Sequence, residues 1–148
     1  NSMKALIVLL LCCVLPSCYG QTATGKLVVT MSNVKKAGMV HVGIFKPGKK
    51  FPDSQLQVTS QAVSCKETCT IVFDQLPFGE YAIAIFQDEN GNGDLDTGML
   101  GIPSEPFAFS NDFKPMFGGP DFTDCSFNFE REGQSVSIRM INSLFGGN

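Results

Sequence analysis

The feature that most constrains this chain is a period-two alternation of apolar and polar side chains, repeated in short runs with turn residues between them. That period lines one face of an extended strand and leaves a helix without an apolar stripe. Residues 26–32 read as a first strand, with Leu27, Val29 and Met31 on one face. Residues 38–45 read as a second, with Val40, Val42 and Ile44 inward and His41 outward. Residues 56–63, 69–73 and 80–87 follow, and 125–130 and 135–141 complete the set, with Gly133 in the last turn. Tyr81 to Phe86 is apolar on both faces, which marks a central strand. Helical periodicity is absent after residue 20. Seven short strands separated by turns predict an all-β protein: a single immunoglobulin-like antiparallel β-sandwich.

One stretch departs from this rhythm. Residues 88–124 are rich in Gly, Pro, Asn and Phe and form a long loop between the fifth and sixth expected strands. Loops of this length are uncommon in small domains and often functional when ordered.

The first twenty residues read as a targeting signal. Lys4 supplies a positive start, and residues 5–15 are an unbroken apolar run. That run is shorter than the roughly 20 residues a membrane span needs, so a secretory signal over 1–20 and a β-sandwich domain over 21–148 are expected. Cleavage after Gly20 would leave Gln21 first. Alternatively, Leu15-Pro16-Ser17-Cys18 resembles a lipobox that would anchor the protein through Cys18, although Pro16 fits that pattern poorly. Either way the domain is expected to be exported: periplasmic or extracellular, or an outer-membrane lipoprotein if Cys18 carries lipid. Eleven Lys or Arg against fourteen Asp or Glu leave no basic footprint, so nucleic acid and anionic membrane surfaces are not expected partners.

An exported domain meets oxidising conditions. Cys65 and Cys69 enclose three residues, as a hairpin turn would, and are expected to form a disulfide across it. Zinc is the weaker alternative, because the chain has one His and no second cysteine pair. Cys125 alternates with Phe127 and Phe129 and reads as a small buried hydrophobe.

Chemistry concentrates at residues 88–96, Asp-Glu-Asn-Gly-Asn-Gly-Asp-Leu-Asp. Nine Asp or Glu fall between Glu67 and Phe113 without one Lys, Arg or His. Crowded carboxylates repel unless a cation sits among them, and calcium prefers oxygen ligands on a loop that wraps it. Asp88, Asn90 and Asn92 alternate, Gly93 falls at the sharp turn of an EF-hand loop, Asp94 can offer its carbonyl, and Asp96 lies ninth. The match fails at the twelfth position, where Met99 replaces the bidentate Glu. An expected closing ligand is therefore Glu105, with Asp112 more remote. The competing reading is a polar turn, since Asp, Asn and Gly are turn residues anyway.

No nucleophile elbow, phosphate loop or metalloprotease motif is present. His41 has no identifiable nucleophile partner, and a Glu105–aspartate pair for glycoside hydrolysis has no defined spacing, so no catalytic residue is assigned. Phe107, Phe109, Phe113, Phe117 and Phe122 are expected to pin the long loop to the sandwich. A second reading makes the loop a ligand groove, with Phe109, Asn111, Asp112 and Phe117 contacting a carbohydrate, peptide or lipid.

Several motifs together resemble a bacterial exported family known as domain of unknown function 2141. They are Gly25-Lys26-Leu27, Gly38 to Phe45, Phe51-Pro52, Phe73 to Ala82, Asp88 to Gly93 with Asp96, Gly101 to Glu105, Phe109 to Asn111, and Gly119 to Phe127. Cys125 stands where that family is expected to carry Ala, and Cys65 and Cys69 lie outside its pattern. The Leu76-Pro77-x-Gly79-x-Tyr81 element is similar to a corner of transthyretin-like and collagen-adhesin B-type sandwiches, which implies that fold and no activity. The expectation is thus a non-enzymatic envelope module: a calcium-binding loop ordering a long segment, or a metal-free glycan- or peptide-binding module, with a hydrolase as the weakest alternative.

Overall fold

The computed structural model describes residues 20–145; all of the expected signal except Gly20, including Cys18, lies outside them. Among the described residues, eight strands form two facing sheets: β1 (Thr24–Val34), β2 (Met39–Phe45), β3 (Gln57–Ser64), β4 (Glu67–Pro77), β5 (Gly79–Asp88), β6 (Phe107–Phe109), β7 (Phe127–Phe129) and β8 (Gln134–Arg139). The first sheet has the order β4-β1-β8, the second β3-β2-β5-β6, and β7 also pairs with β5. The all-β sandwich expected from alternation is therefore present. It is not wholly antiparallel, because β1 and β8 run parallel, with Leu27 opposite Gln134 and Met31 opposite Ile138.

Alternation explains the inner faces. Leu27, Val29, Met31, Val40, Val42, Ile44 and Ile83 are fully buried in one cluster between the sheets. Each such side chain contributes about 1.5–3 kcal/mol by leaving water. β5 pairs with β2 along Ala82–Asp88, with β6 at Ala84–Phe86 and with β7 at Gly79–Tyr81, the central placement that its two apolar faces predict.

Both connections flanking β4 cross between the sheets. Cys65 and Cys69 do form a disulfide, with Cα atoms 5.9 Å apart. The segment it closes is not the expected hairpin, since β3 pairs with β2 while β4 pairs with β1. Three residues between cysteines suit a hairpin and a sheet-to-sheet corner alike, and only strand pairing distinguishes them. At the other crossing, the Tyr81 hydroxyl donates to the Pro77 carbonyl at 2.7 Å, tying the corner whose sequence had stood out.

The long loop is more ordered than its composition indicates. Phe107–Phe109 adds β6, an eighth strand too short for periodicity to reveal. Residue 125 does not begin a strand. Phe122–Cys125 is a single helical turn that buries Phe122 and Cys125, and β7 starts at Phe127. These side chains, with Phe45, Phe51, Ala82, Phe107 and Phe109, build a second cluster. Phe51 is its hub, meeting Phe45 at 5.3 Å and Phe109 and Phe122 at 6.0 Å edge-on. Where the chain leaves β6, Ser110 continues the ladder with its side chain: its Oγ accepts from Ile83 N at 2.8 Å and donates to the Cys125 carbonyl.

Phe51→Ala should destabilise the domain by about 3–5 kcal/mol, the usual cost of a buried aromatic truncation, measurable by urea denaturation. Burial, aided by the Asp124 charge, pushes the Cys125 thiol up to about 12. Under native conditions at pH 8, Cys125 should resist a thiol-specific disulfide reagent and react in full once the domain is unfolded.

Candidate site at the acidic loop

The loop leaves the end of β5, where Gln87 and Asp88 are both buried. Gln87 donates its amide to the Lys36 carbonyl at 2.8 Å and so ties the β1–β2 turn to the base of the loop. Gly38 in that turn has φ +131°, and a Cβ there would stand 2.1 Å from the Asp88 carbonyl oxygen. Only glycine lets the loop's first residue lie this close.

Asp88 is 5 % exposed and folds the loop around itself. Its Oδ1 accepts from Gly91 N at 2.7 Å and Asn92 N at 3.2 Å, and its Oδ2 from Gly93 N at 2.8 Å. Gly91 and Gly93, at φ +76° and +83°, supply the left-handed backbone that turns these amides inward. Asn90 and Asn92 make successive Asx turns, accepting from Asn92 N at 3.1 Å and Asp94 N at 2.9 Å. Their side-chain amides converge on one carboxylate: Asn92 donates to Asp96 Oδ1 at 3.0 Å and Asn90 to Asp96 Oδ2. Asp94 is exposed and Leu95 half-buried.

Glu105, expected from the sequence as a closing metal ligand, is 6 % exposed and meets the loop through backbone amides. Its Oε1 accepts from Glu89 N at 2.8 Å and its Oε2 from Asp96 N at 3.0 Å, so one carboxylate grips both ends of the acidic segment. Ser104 adds two bonds to the Asp96 carbonyl, from its amide at 2.9 Å and its hydroxyl at 3.1 Å. Two buried carboxylates thus take the place of a hydrophobic core in a segment of Asn, Gly and Asp. Among the described residues, no group of three or more His, Cys, Asp or Glu side chains is gathered as a metal site; the convergence on Asp96 is made by asparagines.

The loop has no basic neighbour in sequence, but it has one in space. His41, opposite Phe86 in register, places Nε2 3.9 Å from Asp88 Oδ2 and stacks on the Phe86 ring at 4.7 Å. Alternation puts His41 on the outer face; only the β2–β5 register brings it to Asp88. Burial pushes the Asp88 pKa up. The backbone hydrogen bonds of Gly93, Gly91 and Asn92, joined by His41, outweigh it and hold the carboxyl below its ordinary value.

The Phe-rich segment divides. Phe107, Phe109 and Phe122 are buried and Phe113 packs against them, the pinning role expected of these rings, whereas Phe117 is 98 % exposed. Asn111 and Asp112 both adopt positive φ, 63° and 49°, and their side chains are committed within the fold. Asn111 donates to the Ser126 carbonyl at 2.9 Å, and Asp112 accepts from Arg139 N at 2.8 Å.

Residues 29–137 match a family described as an uncharacterized protein conserved in bacteria, DUF2141. No curated protein and no solved structure gives a match.

Because the folded-state pKa of Asp88 is depressed, its ionised form stabilises the fold above the ordinary carboxylate range, and that contribution is lost as pH falls through the lowered value. Asp88→Asn should lower stability at pH 7 and flatten the acid limb of a stability–pH profile measured by urea unfolding. An unchanged acid limb would remove Asp88 from that role.

Proposed function

Starting from the premise that the chain belongs to the DUF2141 family, we propose that it is an exported, non-enzymatic module whose acidic loop binds calcium. The ligands are the side chains of Asp88, Asn90, Asn92 and Asp96, with the Asp94 carbonyl. Glu105 serves as the clasp that joins the loop to the downstream segment, and the domain acts in cell-envelope binding or structure. Export is read from the leader-like residues 1–20 and agrees with the Cys65–Cys69 disulfide.

The observation that carries the reading is the convergence of Asn90 and Asn92 on the two oxygens of Asp96. The Asn90 and Asn92 oxygens each accept one backbone amide and keep a second lone pair for a cation. A cation beside Asp96 takes over the charge that their two side-chain amides now balance. The donor set is all oxygen and suits a hard ion. Four side chains and one carbonyl, with waters or bidentate carboxylates, meet the six to eight ligands calcium takes. Asp88 Oδ2 accepts one backbone amide and keeps a lone pair for a cation, whereas Oδ1 accepts two amides. The short spacing and flexible glycines favour calcium over magnesium, which demands a stricter octahedron.

Affinity of the order of 10⁻⁴ to 10⁻³ M is expected for an extracellular module. At ten times that dissociation constant a ligand of the native state adds about 1.4 kcal/mol, a rise of roughly 4–7 °C in Tm for a domain of this size. Differential scanning calorimetry in chelator, calcium and magnesium should show the rise in calcium, reduced in Asp96→Ala and Asn90→Ala. A Tm that millimolar calcium leaves unmoved in the unmutated protein would sink the proposal.

A further inference from the structure

The outer face of the second sheet holds a groove of about 460 Å³, within the range of small-molecule sites, about 300–1,000 Å³. Its floor includes the stacked pair His41 and Phe86. Ser54, Gln57 and Ser60 line it from the β2–β3 connection and β3, and Gly93 to Leu95 line it from the acidic loop. Gly43 gives the floor its shape: a Cβ there would lie 2.7 Å from the Phe45 ring and 2.9 Å from Gln57 Oε1, both of which lie across it.

We infer that this groove binds a neutral saccharide. No Lys or Arg lines it, Asp94 does, and its one basic side chain, His41, already faces the Asp88 carboxylate, so an anionic ligand finds no free counter-charge. The aromatic pair His41 and Phe86 offers the apolar surface on which the C–H face of a pyranose rests. Ser54, Ser60 and Asp94 commit no side-chain hydrogen bond to the fold, and with Gln57 they supply the donors and acceptors that sugar hydroxyls need. An extended peptide is disfavoured on the same floor. β2 lies between β3 and β5, and β5 between β2 and β6, so the floor strands have no free edge for strand addition. The inference stands on the groove's own lining and goes beyond the calcium reading, to which it is joined through the wall at Gly93 to Leu95.

The test is an array of neutral and acidic glycans probed with the exported domain in calcium and in chelator, followed by amide NMR titration with the best neutral glycan. Retention of a neutral glycan is expected, with shifts concentrated at His41, Gly43, Ser60, Phe86 and Gly93 to Leu95. Ser60→Trp, at an exposed strand position, fills the groove without entering the core and should weaken binding at least tenfold, and Gln57→Ala severalfold. Retention of no neutral glycan in either condition, retention of acidic glycans or peptides alone, or full binding by Ser60→Trp of unchanged Tm would each overturn the inference. Binding in chelator with a Tm indifferent to calcium supports the groove while removing the metal. Binding in calcium alone supports both.

Discussion

The burial of β5 on both faces is the constraint on which the rest of the structure depends. Its inner residues Ile83 and Ile85 pack in the cluster between the sheets, and its outer residue Ala82 lies under the aromatic cluster built on Phe51. A strand apolar on both faces calls for a covering on each, and on the outer face it is complete over Ala82 and partial over Ala84 and Phe86. The facing sheet supplies one. The long segment after β5 supplies the other, burying Phe107, Phe109 and Phe122 with Ala82, Phe45 and Phe51. That segment must therefore leave β5 and return beside it, and the acidic loop is the turn where it does so.

A turn of Asn, Gly and Asp cannot hold itself by apolar burial. Here the burial is of charge: Asp88 and Glu105 are nearly inaccessible, and each accepts backbone amides that otherwise would lack partners. Asp88 shapes the loop from within and Glu105 closes it from the segment that returns toward β6. The same arrangement brings the loop beside His41 and the open part of the outer sheet face, so the proposed cation site and the groove share one wall.

The legible part of this protein was local. Alternation at Leu27, Val29 and Met31 identified a strand and its buried face, because burial follows a period of two whatever the sheet order. The double apolar face of residues 81–86 placed β5 at the centre for the same reason. The illegible part was pairing. The Cys65–Cys69 turn reads as a hairpin until β3 and β4 prove to lie in different sheets. The parallel partnership of β1 with β8 leaves no trace in either strand's pattern. Phe107–Phe109 is too short to show a period, and Cys125, which alternates with Phe127 and Phe129, sits on a helical turn that buries it among the Phe51 aromatics, whereas Phe129 joins the core between the sheets.

By itself, the sequence determined that the chain forms a β-sandwich, that one loop gathers closely spaced Asp, Glu and Asn side chains, and that Glu105 is the carboxylate within reach to close that loop. These follow from side-chain period, turn composition and short separation along the chain, which act locally. Only the tertiary structure decided that Glu105 grips backbone amides, that Asn90 and Asn92 converge on Asp96, and that His41 stands beside Asp88. Those contacts depend on strand register and on the path of a returning segment. Both are set by packing two faces of β5 at once, a condition that no single stretch of the sequence contains.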